Sequence, residues 1–244
     1  MKNIMKKILF SLPCAGGRAA NYDIWKSHIN FELINIEYPG HWGRWGETAC
    51  TNINDLVEDV TRQISDRVED TQGMGIFLIG HSMGALIAWL VAQSLKAKKN
   101  ILLEGIIIAA MLSPDQLDSL NSIPLTAEAD IKEFLHRIRQ VPDNILNSAF
   151  FNSYFFPAIE SDFRIFHECV EKTGEFRKMD ISCLVLYGTQ DPIINKNHLT
   201  SWNNYAESVI YSKIDGDHFF IYDSAQIKKI CCSVNNFINN YHIK

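Results

Sequence analysis

The chain has 244 residues, of which 47% are hydrophobic and 21% are charged, so disordered, collagen-like and coiled-coil classes are excluded. The formal net charge of −5 argues against a protein that binds nucleic acid over its whole surface. The length suits one domain, or one domain with an insertion.

Short apolar strands alternate with helical patterns along the chain. Strands are predicted at 8–12, 33–38, 76–79, 106–110, 183–187 and 209–214. Helices are predicted at 53–68, with Asn52 or Thr51 as the N-cap, at 85–95 and at 227–238. Because the strands are apolar throughout, they predict a mostly parallel sheet with helices on both faces, and the fold class is α/β.

A helical insertion is predicted between the fourth and fifth strands, because about seventy residues are too many for a single crossover. We place the core at 1–112 and 163–244 and a helical lid at 113–162. One lid helix follows a Thr126 cap and has Ile131, Phe134, Leu135 and Ile138 on one face. An aromatic cluster comes later in the lid, at Phe150, Phe151, Tyr154, Phe155 and Phe156. These rings either bury the lid on the core or line an apolar pocket beneath it.

The cysteines and the first residues bear on the compartment. The six cysteines show no Cys-x-x-Cys spacing, so we interpret them as reduced packing residues and predict no metal site. The apolar run at 8–12 follows lysines but is shorter than the roughly 7 to 15 residues of a secretory signal. No run approaches the roughly 20 apolar residues of a membrane span. We therefore expect a cytoplasmic protein without membrane association.

The segment from Gly80 to Gly84 fits the pattern Gly-x-Ser-x-Gly, with Ser82 at its centre. An apolar strand runs into it and an apolar helix leaves it, which is the setting that raises a nucleophilic serine on a tight turn. The Met83 N–H at the start of that helix is positioned to donate to a developing oxyanion. The sequence therefore predicts Ser82 as a nucleophile.

A serine hydroxyl needs a base to take its proton and an acid to orient that base. For this turn the expected chain order is serine, acid, histidine. Asp191 directly follows the strand at 183–187, and His218 lies in a loop before the last helix, so they are the predicted acid and base. His81 flanks the serine, and we expect its ring to point away.

Two other carboxylates compete for the acid's place. Asp115 follows the strand at 106–110, and Asp217 precedes His218, where a side-on contact is awkward. The second oxyanion donor is expected in the loop after the first strand, from Ala15 or Cys14, with Gly16 and Gly17 allowing close approach. Neither a dinucleotide fingerprint in context nor a Walker pattern occurs, and no metal or cofactor is required.

Five ordered motifs together resemble the stand-alone type II thioesterases of nonribosomal peptide and polyketide synthases, within the α/β-hydrolase superfamily. They are LPCAGG at 12–17, EYPGHWGRWGE at 37–47, GHSMGA at 80–85, GTQDP at 188–192 and GDHFF at 216–220. Lid segments at 123–125, 141–142 and 155–163 are also similar. The resemblance implies Ser82, Asp191 and His218 as the triad, with Ala15 and Met83 as the oxyanion donors. It departs at His41, where an arginine is common, and at Gly216 and Asp217, where two glycines are usual.

The resemblance implies removal of stalled or wrong acyl groups from the phosphopantetheine arm of acyl or peptidyl carrier proteins. We expect the protein to be a monomer. Alternatives are product release, a medium-chain thioesterase, a carboxylester hydrolase on small free esters, or a protein that docks on a synthase without catalysis. Because carrier surfaces tend to be acidic, we expect cations near the lid mouth, at Arg18, Lys26, Arg137 and Arg139.

Overall fold

The computed structural model describes residues 6–69, 73–98, 100–120, 127–138 and 141–240. Within these ranges a six-stranded sheet has the order β2-β1-β3-β4-β5-β6, and every pair of neighbouring strands is parallel. The strands are β1 Lys7–Leu12, β2 Glu32–Asn35, β3 Gly75–His81, β4 Leu102–Ala109, β5 Ser182–Gly188 and β6 Ser208–Ile214. The six predicted strands and their parallel pairing are confirmed.

The helices surround this sheet. They are α1 Ile53–Val68, α2 Met83–Lys96, α3 Glu128–Arg137, α4 Asp143–Leu146, α5 Ala149–Tyr154, α6 Phe156–Glu171 and α7 Ile227–Asn240, with a 3-10 helix at Ala19–Trp25. The predicted helices at 53–68, 85–95 and 227–238 correspond to α1, α2 and α7. Asn52, one of the two predicted caps, accepts a hydrogen bond from Asp55 N–H at 2.9 Å, which satisfies an amide at the start of α1.

Two apolar layers form because side chains alternate between the faces of each strand. On one face Ile8, Phe10 and Leu12 of β1 pack with α1, α2 and α6. On the other, Leu9 packs with α7 and with Trp25 of the 3-10 helix. Both faces are covered, as the apolar strands predicted, and the carboxyl ends of all six strands share one edge of the sheet.

The segment between β4 and β5 is helical in the described residues, with α3 to α6 in order. Ala127 is the N-cap of α3, and the predicted cap Thr126 and lid segment 123–125 lie outside the described residues. The predicted lid boundary at residue 162 falls inside α6, which packs against α1 and α2. The division of the chain into core and lid stays a prediction.

Two further features of the described residues concern membranes and metal ions. No helix in them has the length and apolar character needed to cross a membrane. They contain no group of three or more histidine, cysteine or acidic side chains placed to hold a metal ion. All six cysteines lie in the described ranges, and no disulfide joins them.

Candidate active site

Ser82 lies in the turn between β3 and α2, in a backbone conformation that favours glycine. Its φ of 54° and ψ of −125° fall outside the regions common for residues with a side chain. A Cβ on Gly80 would come within 2.1 Å of the Gly84 carbonyl oxygen, and one on Gly84 within 2.2 Å of the Pro13 oxygen. The two glycines therefore allow the sharp turn that holds Ser82 at the strand ends.

Ser82, His218 and Asp191 form a continuous chain of hydrogen bonds. His218 Nε2 lies 3.0 Å from Ser82 Oγ, and His218 Nδ1 lies 2.8 Å from Asp191 Oδ2. The three residues come from the ends of β3, β5 and β6, so the parallel sheet brings together side chains that are distant in the sequence. The spacing matches that of a nucleophile, a base and an orienting acid.

Asp191 is held as a carboxylate. Burial raises its pKa, but the hydrogen bond to His218 and those from Ile193 and Ile194 N–H to Oδ1 outweigh burial, and the net pKa lies below its ordinary value. A carboxylate accepts only, so His218 Nδ1 carries a proton and donates it to Asp191. In the neutral ring, Nε2 is then the acceptor for the Ser82 hydroxyl.

The two competing acids lie elsewhere. Asp115 accepts a hydrogen bond from Asn204 at 3.3 Å, and Asp217 accepts one from Phe219 N–H at 2.8 Å. Asp191 therefore occupies the place that the triad requires, next to His218 Nδ1.

His81 contributes to the site in a way that the sequence did not suggest. Its ring is buried, its Nε2 donates to the His218 carbonyl oxygen at 2.8 Å, and its Nδ1 has no hydrogen-bond partner among the described residues. Burial, followed by the nearby His218, lowers its pKa to about 3, so the ring is neutral. Because side chains alternate along a strand, the sequence indicates that His81 is on the same face of the sheet as Ile79. It does not indicate the hydrogen-bond partner of His81, which comes from a loop that is distant in the sequence.

A small cavity of about 40 Å³ surrounds the serine. Ala15 and Met83, the predicted oxyanion donors, line it together with Ser82 and His218. Its remaining walls are mostly apolar and include Leu120, Phe134, Ile138, Phe163 and Phe166. We refer to this cavity as the chamber.

A second cavity, of about 980 Å³, lies next to the chamber, and Cys14 and Phe219 line both. We refer to it as the outer cavity. Its wall includes Trp42, Trp45, Tyr154 and Phe155, and the Trp45 and Tyr154 rings stack with centroids 5.3 Å apart. The aromatic cluster thus has both predicted roles, because Phe151 and Phe156 are buried whereas Phe150 and Tyr154 are exposed and line this cavity.

Three of the four expected cations lie in the described residues. Arg18 lines the outer cavity, with its guanidinium 5.4 Å from the Trp42 ring. Lys26 pairs with Asp23 at 2.7 Å, and Arg137 lies over the Phe134 ring at 5.4 Å. Arg139 is outside the described residues. Arg18 is therefore the cation of this set that the structure places at the cavity.

Comparisons with known proteins agree with this geometry. The family model described as "Thioesterase domain" matches residues 7–238. The probable anguibactin biosynthesis thioesterase AngT of Vibrio anguillarum is 25% identical over 230 residues, covering 90% of this chain and 87% of the relative. The crystal structure of ClbQ from the colibactin pathway superposes with a TM-score of 0.82 at 22% identity, covering 97% and 98% of the two chains. The type II thioesterase YbtT, from yersiniabactin biosynthesis, gives 0.79 at 19% identity, covering 99% and 94%.

Proposed function

The chain belongs to the thioesterase domain family, and on that premise we propose that it hydrolyses acyl thioesters on the phosphopantetheine arm of carrier proteins. In this proposal it clears stalled or wrong acyl groups from a nonribosomal peptide or polyketide synthase. The observation that carries the proposal is the hydrogen-bonded chain Ser82–His218–Asp191, with a cavity of about 980 Å³ next to the chamber that holds Ser82. The relatives' names point to such synthases, since AngT is named for anguibactin biosynthesis and YbtT for the yersiniabactin nonribosomal peptide and polyketide synthase pathway.

In the first half of the proposed reaction, Ser82 Oγ attacks the thioester carbonyl carbon while His218 Nε2 takes the hydroxyl proton. Asp191 stabilises the resulting imidazolium. The carbonyl oxygen becomes an oxyanion, for which the backbone N–H groups of Ala15 and Met83 are the proposed donors. When the carbon–sulfur bond breaks, His218 returns the proton to the leaving thiol, and the acyl group remains on Ser82.

In the second half, a water molecule takes the place of the thiol. His218 accepts its proton as the oxygen attacks the acyl carbon, and then protonates Ser82 Oγ as the ester bond breaks. The products are a free acid and the unmodified serine. Every step is an acyl or proton transfer between these groups and water, so the proposed reaction uses neither a metal nor a cofactor.

The two cavities suggest which part of the substrate each receives. The chamber beside Ser82, at about 40 Å³, is far smaller than the outer cavity of about 980 Å³. It therefore favours short acyl groups. The outer cavity has the volume and the aromatic walls to hold the phosphopantetheine arm. Arg18 lines this cavity, so we propose that it contacts the phosphate of the arm or an acidic surface of the carrier protein.

We also propose that the protein acts as a monomer in the cytoplasm. The absence of any disulfide among the six cysteines supports a reducing compartment. Four of these cysteines are buried, and burial raises the pKa of Cys14 and Cys231 to about 12, so those thiols stay protonated and serve packing.

The test is mass spectrometry of several acyl-loaded carrier proteins incubated with the wild type and with Ser82→Ala. We expect the wild type to remove short acyl groups from the carriers, and the variant to leave them in place. Small free esters and medium-chain thioesters serve as comparison substrates. Faster turnover of free esters would replace the proposal with a carboxylester hydrolase, and a preference for medium chains would replace editing with release.

A further inference from the structure

His41 lies in the loop after β2 and connects this loop to the helical segment between β4 and β5. Its side chain is 4% exposed, and its Nε2 is 2.9 Å from Oδ2 of Asp162, a residue of α6 that is 2% exposed. Its Nδ1 is 3.0 Å from the carbonyl oxygen of Pro39. Both ring nitrogens are therefore engaged, and both face oxygen acceptors.

This arrangement specifies the protonation state of the ring. A carbonyl oxygen and a carboxylate have no proton to donate, so each of the two contacts requires an N–H on His41. A ring with two N–H groups is an imidazolium, and it forms a buried ion pair with Asp162. Burial lowers the pKa of His41, but Asp162 opposes this effect and the net pKa is raised to about 9.

The same carboxylate oxygen reaches the loop that carries the proposed oxyanion donor. Asp162 Oδ2 accepts a hydrogen bond from Gly16 N–H at 2.8 Å. Gly16 has a φ of 67°, and Gly17 N–H donates to the Cys14 oxygen at 2.9 Å, so the turn has the form of a type II turn. In such a turn the central peptide, here between Ala15 and Gly16, has one of two opposite orientations, and the contact with Asp162 fixes it. The Ala15 N–H belongs to the preceding peptide, so Asp162 acts on it through the backbone conformation of Ala15.

We propose that protonated His41 is a positioning residue, which acts through Asp162 and Gly16 to hold the Ala15 turn in its catalytic form. We call the set His41, Asp162 and Gly16 the His41 clamp. When His41 loses its proton, one of its two contacts has no hydrogen and the ion pair is gone, so the turn is released. Acylation of Ser82 then slows as the pH rises. This inference rests on the proposed function only in taking Ala15 as an oxyanion donor.

Several other charged and titratable groups lie near the clamp. Besides each other, His41 and Asp162 have charged and titratable neighbours on two segments of the chain. These are Cys14 and Arg18 after β1, and Glu37, Tyr38 and Cys50 between β2 and α1. Burial raises the pKa of Cys14 to about 12, that of Cys50 to about 11 and that of Tyr38 well above 10. Burial also raises the pKa of the Glu37 carboxyl, and the His41→Gln variant described below separates a Glu37 transition from one of His41. A transition near pH 9 is therefore assigned to His41.

The experiment measures the second-order rate of Ser82 modification by a fluorophosphonate between pH 6 and pH 10.5. This reagent needs the serine, the base and the oxyanion donors but no carrier protein, so the readout stands even where carrier deacylation fails. We expect the wild-type rate to fall about ten-fold between pH 8 and pH 10.5, with a midpoint equal to that of His41 in an NMR titration of its ring. Circular dichroism at each pH checks that the protein is folded.

Two matched variants separate charge from packing. His41→Gln keeps a donor but no charge, so it should react at the slow rate at all these pH values, without the transition near pH 9. His41→Arg keeps a permanent charge, so it should hold the fast rate to pH 10.5. An alkaline fall that is the same in wild type and His41→Gln would overturn the proposal. So would a His41 ring that titrates near its ordinary value in the wild-type NMR experiment, a measurement that needs no variant.

Discussion

Replacing Phe134 by alanine should open the chamber around Ser82 to longer acyl groups. Phe134 lines the chamber, and its ring packs edge-on against Phe163 at 5.5 Å. Removing the ring joins its volume to a cavity of about 40 Å³, directly beside the nucleophile. We expect the wild-type chamber to exclude a chain that the enlarged one can bury.

The magnitude follows from the area that the longer chain removes from water. Each buried methylene is worth about 0.8 kcal/mol, or about four-fold in kcat/KM. Between an acetyl and a hexanoyl thioester the ceiling is about 3 kcal/mol. Because Phe134 is only half-buried, part of the new space is open to solvent, and we expect a change in the hexanoyl-to-acetyl ratio of about ten-fold. The cost in stability should be about 2 kcal/mol, less than for a fully buried ring.

The assay compares kcat/KM for acetyl, butyryl and hexanoyl thioesters on one carrier protein, for the wild type and Phe134→Ala. Phe150→Ala is the matched control, because Phe150 is 61% exposed and lines the outer cavity instead of the chamber. The control should leave the chain-length profile unchanged. An unchanged profile in Phe134→Ala would refute the assignment of the chamber to the acyl group.

Three further predictions concern the catalytic turn and its partners. In urea titrations, Ser82→Gly should have a free energy of unfolding about 1 kcal/mol higher than that of Ser82→Ala. Glycine adopts a φ of 54° without strain, whereas alanine retains the backbone strain of Ser82. Equal free energies of unfolding would contradict the presence of strain. Asp191→Asn should lower kcat about 10⁴-fold, because the amide no longer holds His218 in its reactive tautomer, and a small loss in pre-steady-state kinetics would contradict this role. His81 should remain neutral in NMR spectra at pH 5, and a charged ring at that pH would show that this assignment is wrong. Its pKa of about 3 in the folded protein lies below its value in the unfolded chain. The unfolded chain therefore binds the proton first, and the free energy of unfolding should decrease as the pH falls from about 6.5.

The sequence predicted the elements whose signals are local. The apolar runs that became β3, β4 and β5 are buried along nearly their whole length, and α1 begins at the residue after its predicted cap, because both depend on neighbours in the chain. The triad side chains were also predictable in place, since the turn pattern and the strand ends fix where each lies on a parallel sheet. Their catalytic roles stay a prediction until activity is measured.

Contacts between distant segments were not predictable in the same way. Asp162 lies on the buried face of α6, 121 residues from His41, and only tertiary packing shows that it reaches both His41 and Gly16. His81 is a polar residue in an apolar strand, and the sequence offers no explanation for it. The structure does, because the loop that carries His218 packs against it and accepts its hydrogen bond. A pattern that gives the face of an element does not identify the partner that covers that face.

The most direct test of the central claim is to locate the acyl group during turnover. Wild-type enzyme mixed with an acyl-loaded carrier and quenched in acid within milliseconds should yield a peptide in which Ser82 carries the acyl mass, and His218→Ala should yield none. The acylated Ser82 peptide should appear and then decay as the carrier loses its acyl group. Acyl mass on another residue, or loss of the acyl group from the carrier at the wild-type rate with Ser82→Ala, would contradict it.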